Sequence, residues 1–321
     1  MSLRLSIIIC TLNREEVLCN TLRNVVTLIQ GRTDAELIVV DQTRSHDLAT
    51  ERCFAELAGA FQLHRADFAS LTRARNYGIR HARGEIILFL DDDVEPSSNL
   101  IDEHLACYAN PDVWGVGGCT LLPGKGKLSK TDFSPSELRS LEVERTHRFD
   151  LDWPRTIGWA PGCNMSFRRE KLFAVGGFDE AFYGVAVGEE AELCYRIRQA
   201  GGIIQYSPEA VLVHLVNPSG GCRAATENTE RTAQLLDNQY YHLSRIGRTG
   251  FTRWKALLSQ CRTIVLNRRT LREGTWFGWG IACGGGLLRA LQNKGRKPQL
   301  GLIGPVETDP MAPTLDVSYA S

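Results

Sequence analysis

The chain has no apolar run of the roughly 18–20 residues that a membrane-spanning helix requires. The nearest approach, Trp276 to Leu288 (WFGWGIACGGGLL), is too short and too rich in glycine. Net charge is missing too: 37 Lys and Arg oppose 37 Asp and Glu, so no global field gathers nucleic acid and no nucleic-acid partner is expected. None of the ten cysteines forms a CxxC pair, and no Cys/His spacing fits a zinc site. Scattered through apolar segments, they read as reduced, packed thiols of a cytoplasmic protein. No GxGxxG follows the first apolar segment, which leaves a dinucleotide-binding reading unsupported. The Gly/Lys stretch Pro123 to Lys130 lacks the GxxxxGK(S/T) spacing of a phosphate-binding loop. There is no internal repeat, and no signal peptide is expected at the start.

What remains is an ordinary globular composition, 43% hydrophobic and 23% charged, enough for a sizeable core. Leu3 to Cys10, Glu36 to Asp41 (ELIVVD), Phe61 to Arg65 and Ile86 to Leu90 read as strands. Between them, Glu15 to Gln30 sets Val17, Leu18, Leu22, Val25, Leu28 and Ile29 at helical spacing, with Asn13 as a candidate cap. Asp47 to Ala60 and Leu71 to Ala82 complete the alternation. This order predicts a doubly wound α/β fold, a mostly parallel sheet with helices on both faces. After a strand at Val113 to Leu122 the pattern breaks into short pieces, with Glu137 to Asp152 highly charged and without a clear period. A helix is expected at Glu189 to Ala200, with short strands at Ile203 to Tyr206 and Val211 to Leu215. Further helices are expected over Thr226 to Arg245, Thr252 to Leu266 and Trp276 to Gln292. The chain thus divides into an α/β domain over 1–221, a helical extension over 222–293 and a flexible tail over 294–321. Trp276 to Leu288, with Arg268, Arg269, Arg272 and Arg289 around it, either packs within the extension or lies on a membrane surface.

The chemistry concentrates at strand ends. Three consecutive carboxylates, Asp91, Asp92 and Asp93, close the buried run Ile86 to Leu90. Packed that closely they repel one another, unless a hard divalent cation sits among them; a solvated turn capping the next helix is the plainer account. Thr11, Asn13 and Arg14 follow the first strand and Asp41 ends the second, on the same sheet edge, where ligands of open α/β sheets bind. Asn13 also reads as a helix cap and Asp41 as a turn residue. Together with the aspartates they outline a nucleotide-plus-metal pocket.

Six segments in order, SIIICTLNR, ELIVVDQTRSHD, LTRARNYGIRHARGEIILFLDDDVEP, PGCNMSFRREKLFAVGGFDEAF, GEEAELCYRIRQAGG and YSPEAVLVH, resemble the family 2 glycosyltransferases, which have the GT-A fold. The resemblance covers about Leu3 to Leu215. It implies a nucleoside diphosphate sugar donor whose base is held by Asp41, with the turn from Thr11 through Asn13 to Arg14 nearby. Arg75 and Asn76 match a position facing the nucleotide. Asp91 and Asp93 match the DxD carboxylates that bind ribose and a bridging Mg2+ or Mn2+, with Asp92 between them. His214 matches a further metal ligand in some members, and is otherwise a structural histidine.

Inverting transfer also needs a base for the acceptor hydroxyl. The resemblance implies the acidic pair Glu189 and Glu190; Glu190 shares a helix face with Leu193, Cys194 and Ile197, which turns it toward the protein body. The segment around Gly162 and Asn164, with Trp159, is expected on the acceptor side, and Pro123 to Lys130 as a lid. Two departures stand out: Glu190 occupies a position more often Asp, and Gln42 follows the base-binding Asp where a second acid is common. A Q-x-x-R-W motif is missing after the acidic pair, which favours non-processive transfer to a glycan, lipid-linked or small-molecule acceptor. The enzyme is expected on the cytoplasmic side, with peripheral membrane contact through the C-terminal region left open. Against this stand a sugar-phosphate nucleotidyltransferase, which needs a Gly-rich loop that TLNREEV does not supply, and a non-catalytic nucleotide-binding relative, which predicts loss of acidic motifs that are present.

Overall fold

In a computed structural model the chain is described over residues 3–142, 148–221, 228–266, 268–273 and 275–302. The first half alternates as β1 (Leu5–Thr11), α1 (Glu16–Ile29), β2 (Ala35–Asp41), α2 (Leu48–Glu56), β3 (Gln62–Arg65), α3 (Leu71–His81) and β4 (Ile86–Leu90). These four strands pair in parallel in the order β3-β2-β1-β4. Both faces of the strands are covered, which is why they read as continuous apolar runs. Ile8, Ile87 and Phe89 pack on one side with Ala74 and Ile79 of α3. Leu5, Ile7, Ile9, Leu88 and Leu90 pack on the other with Leu18, Leu22 and Val25 of α1. The α/β expectation therefore holds through its period-2 logic.

Beyond β4 come β5 (Val94–Pro96), α4 (Leu100–Cys107), β6 (Val113–Leu121), α5 (Pro135–Glu142), β7 (Arg155–Thr156), β8 (Asn164–Arg168), α6 (Arg169–Val175), α7 (Glu189–Gln199) and β9 (Ile203–His214). Here the sheet turns mixed. β8 runs antiparallel to both β4 and β6, and β9 runs parallel to β6. The two short strands expected at 203–206 and 211–215 are one strand, interrupted where its register against β6 shifts between Gly118 and Cys119. That bulge leaves the carbonyls of Cys119 and Ala210 for a side chain to satisfy, and Asn164 donates to both at 2.9 Å.

Four helices follow: α8 (Asn228–Arg245), α9 (Gly250–Val265), α10 (Arg268–Glu273) and α11 (Trp276–Gln292). α8, α9 and α11 share a small core of Leu236, Tyr240, Leu257, Cys261, Cys283 and Ala290. A polar hub ties this unit to the α/β domain. Asp179, fully buried, accepts from Tyr241 Oη of α8 at 2.7 Å and from the Gln299 amide at 2.8 Å, and pairs with Arg245. The flexible tail expected from residue 294 is corrected for its first part: Leu302 is buried in the core beside Phe178 and Leu172, and its amide bonds Gly176 O. Residues 303–321, and 143–147 within the charged stretch, lie outside the described residues.

Candidate active site

The parallel register decides which residues meet. Thr11 lies opposite Asp41, and Ile9 opposite Leu90, so the turn after β1 and the aspartates after β4 emerge side by side. Thr11 Oγ1 donates to Asp92 Oδ2 at 2.7 Å, and Arg14 Nε lies 3.2 Å from Asp92 Oδ1. Burial pushes Asp92 up to about 7, against the pull of Arg14 and Thr11; it is a brace inside the protein. Asp93 accepts from the Asn217 amide at 2.8 Å and sits 3.1 Å from His214 Nε2, at the end of β9. Burial alone would raise Asp93, yet His214, the Asn217 amide and Arg14 together hold it below the ordinary range. Asp91 turns the other way. Its carboxylate is 36% exposed and faces the cleft, 3.8 Å from His214 Nε2.

One ligand atom each from Asp91, Asp93 and His214 lie within 4.8 Å of one another. Two carboxylate oxygens and one imidazole nitrogen form a donor set for a divalent cation that accepts mixed O and N ligation. With only protein charges around it, burial works against charge on His214, but Asp93, Cys163 and Asp91 push it up to about 11.

On the opposite wall, α7 begins at Gly188, whose φ of +97° is left-handed. A Cβ there would come within 3.1 Å of the His242 ring, so glycine both makes the turn and lets α8 close on it. Glu189 and Glu190 follow. Glu189 is buried and receives Arg75 Nη1 at 2.7 Å; Arg75 Nη2 also donates to Gly162 O at 3.3 Å. Burial and the neighbouring Glu190 charge hold Glu189 well above the ordinary carboxylate range, and Arg75 pulls the other way. Glu190 Oε2 is buried without a hydrogen-bond partner while the residue lines the cleft. Burial keeps His242 below its ordinary value, against the pull of Glu190, and its Nδ1 is likewise unpartnered. Glu190 Oε2 therefore has an open lone pair at the cleft wall, close to His242.

The cleft between these walls holds about 1300 Å³, more than the roughly 300–1,000 Å³ of a single small-molecule pocket. It has room for two ligands. Thr11, Arg14, Arg75, Asp91, Asp92, Asp93, Trp159, Gly162, Glu189, Glu190 and His214 all line it. Four expected residues do not. Asn13 is neither cap nor lining: its φ is +51°, its amide bonds Thr43 Oγ1, and α1 has no side-chain cap. Asn76 clamps Phe178 through both its backbone amide and carbonyl, and also reaches Glu180. Asn164 plugs the β9 bulge and pairs with His104. Asp41 is fully buried, bound by the Thr43 amide, His46 and Arg65; Gln42 reaches the cleft in its stead. Trp159 meets Phe149 edge to face at 4.9 Å while bordering the cleft.

The sequence reading missed the wall built by the helical extension. Gln234, Gln239, His242 and Ile246 of α8 and its following turn, with Gln260 of α9, close the cleft over Glu190. Their spacing of three to five along α8 was visible, but a polar stripe at that spacing reads equally as a solvated face.

A strand-edge pocket at the 3-2-1-4 switch, an Asp-Asp-His cluster and an opposed acidic helix start sit on an α/β architecture of the GT-A type. Residues 6–174 match the family model described as "Glycosyl transferase family 2", and the chain belongs to that family. A pre-mycofactocin glycosyltransferase of Mycobacterium tuberculosis is 28% identical over 200 residues, 60% of this chain and 39% of that protein. A glucosyl-dolichyl phosphate glucuronosyltransferase of Haloferax volcanii is 26% identical over 221 residues, 66% of this chain and 69% of that one. Among solved structures, a mannosyltransferase from Pyrobaculum calidifontis in complex with GDP-Man and Mn2+ superposes with a TM-score of 0.56 at 18% identity, covering 92% of this chain and 88% of that one. The fold is shared with that structure over 92% of this chain, while the chain spans 39% of the mycobacterial relative's length.

Proposed function

We propose that this protein is a metal-dependent, inverting, non-processive glycosyltransferase that moves a sugar from a nucleoside diphosphate sugar to an acceptor hydroxyl, in glycan or cell-surface polysaccharide assembly. One observation carries the reading: Asp91, Asp93 and His214 converge on one side of a two-ligand cleft, and Glu190, whose Oε2 has no hydrogen-bond partner, lines it too. Asp91, Asp93 and His214 would hold Mn2+ or Mg2+; the imidazole nitrogen favours Mn2+. When bound, the cation offsets charge that grows on the leaving diphosphate.

The chain's own residues supply the rest. Arg14 and Thr11 brace Asp92, fixing the loop that carries the two ligands. Arg75 holds Glu189 against Gly162, so the α7 start is rigid where Glu190 leaves it. Glu190 takes the proton of the attacking hydroxyl, and the displacement in line inverts the anomeric centre. The α8 and α9 wall keeps water from competing and borders the acceptor side with Trp159 and Gly162.

The test is turnover. UDP-, GDP- and dTDP-sugars are incubated with the protein and Mn2+, and sugar release or transfer is followed. One donor is expected to turn over, and Glu190→Gln is expected to lower its kcat about 10²–10⁴-fold while leaving donor binding intact. Unchanged turnover in that variant moves the base elsewhere.

A further inference from the structure

Large hydrophobic side chains are exposed mainly in one region. Of the eleven among the described residues, seven lie between Phe251 and Leu291. α11 explains the pattern. One side of it carries Ala282, Cys283, Gly286 and Ala290 and packs on α8, where Gly286 lets Leu236 and Ala233 approach. Phe277, Ile281, Leu288 and Leu291 recur on the opposite side of the helix, and are 65, 60, 56 and 49% exposed. A helix that faced only water would carry polar residues there. α9 repeats the device with charge added: Phe251, Lys255, Leu258 and Arg262 follow at spacings of four, three and four, and all four are exposed.

Charge is segregated in the same place. Residues 250–297 contain ten Lys and Arg against one acid, Glu273, in a chain that has 37 basic and 37 acidic residues overall. Arg289 and Arg296 are engaged by Glu230 and Asp237 of α8, whereas Lys255 and Arg262 stand in the exposed stripe of α9. A second copy of the chain meeting this face would bring like charges together. An anionic bilayer meets both its apolar and its basic character.

We propose that α9 and α11 seat the protein on the surface of an anionic lipid bilayer. Phe251, Leu258, Phe277, Ile281 and Leu288 enter the boundary between headgroups and acyl chains, and Lys255 and Arg262 reach the lipid phosphates while their stems cover apolar surface. The packing and membrane roles left open for Trp276 to Leu288 become the two sides of one helix. This inference is independent of the donor-site reading.

The experiment is flotation of the whole protein with vesicles of phosphatidylcholine alone and of phosphatidylcholine with roughly 30% phosphatidylglycerol. Binding is expected to the anionic vesicles, to weaken as salt is raised, and to fall roughly tenfold in Ile281→Ser/Leu288→Ser and in Lys255→Glu/Arg262→Glu. All four sites are exposed, so both variants should keep the wild-type melting temperature. If neither vesicle binds, or if both variants bind as wild type does, the proposal is overturned. A dimer in solution that Ile281→Ser/Leu288→Ser converts to monomer, without vesicle binding, assigns the face to a second copy and overturns it equally.

Discussion

At the scale of single residues, the cleft is held by charges that cannot be removed one at a time. Arg75 is 4% exposed, stacks over Phe178, and joins Glu189 to Gly162. Breaking a buried pair by deleting one partner typically costs about 3–5 kcal/mol. Arg75→Met is therefore expected to lose about 3 kcal/mol in denaturant unfolding, together with turnover, because Glu190 loses its rigid neighbour. A variant as stable as wild type would remove Arg75 from this role. The residue scale is also where sequence reading erred. An asparagine beside a strand end serves a ligand, a bulge or a distant loop equally well. Only the Gly118–Cys119 register shift and the Phe178 backbone decide that Asn164 and Asn76 are struts.

At the scale of elements, α1 and α2 are joined to the β2 edge by His46, whose ring is fully buried between Glu15 and Asp41, 2.9 Å from each. Burial opposes its charge, but hydrogen bonds to Glu15 and Asp41 outweigh that, and its pKa lies above the ordinary value. A group raised in this way stabilises the fold fully below its unfolded pKa of about 6.5, and that contribution fades as the pH rises through the folded value. Unfolding free energy should therefore decline as the pH climbs above about 6.5, and His46→Gln should flatten the decline. A pH profile identical in the variant would contradict the pairing.

Strands buried on both faces were legible as apolar runs, and α11 was read to both of its ends. Several elements were not, β5, β7, β8, α5, α6 and α10 among them. β5 is three residues long, α6 is a seven-residue helix after β8, and the β9 bulge is invisible in one dimension. Elements that short are decided by tertiary pairing, which no local period reports.

At the scale of the molecule, a catalytic fold and a helical extension share one cleft, and a buried carboxylate sits among the many groups of their junction. Asp179 gathers Tyr241, Arg245, and the amides of Ala181 and Gln299 on one buried carboxylate. Asp179→Ala leaves these donors unpaired and should let α8 to α11 melt first, splitting one calorimetric transition into two. A single transition at the wild-type temperature would mean that the two units are coupled elsewhere. The Asp91, Asp93, His214 and Glu190 constellation was readable from motif order. The wall that completes the cleft was not, since its polar residues on α8 carry no sign of which way they face.

The central claim is that the carboxylates after β4 hold a cation that in turn holds the diphosphate. Asp91 is the cleanest probe, because its carboxylate faces the cleft and, beyond a long 4.0 Å approach to Arg75, holds no backbone or side chain as Asp92 and Asp93 do. Calorimetric titration with UDP and GDP, with and without Mn2+, compares wild type with Asp91→Asn. The account predicts that one nucleotide binds wild type only with Mn2+, and that Asp91→Asn weakens it at least about tenfold, roughly 1.4 kcal/mol, at unchanged melting temperature. Nucleotide binding that ignores both the metal and the substitution would contradict it.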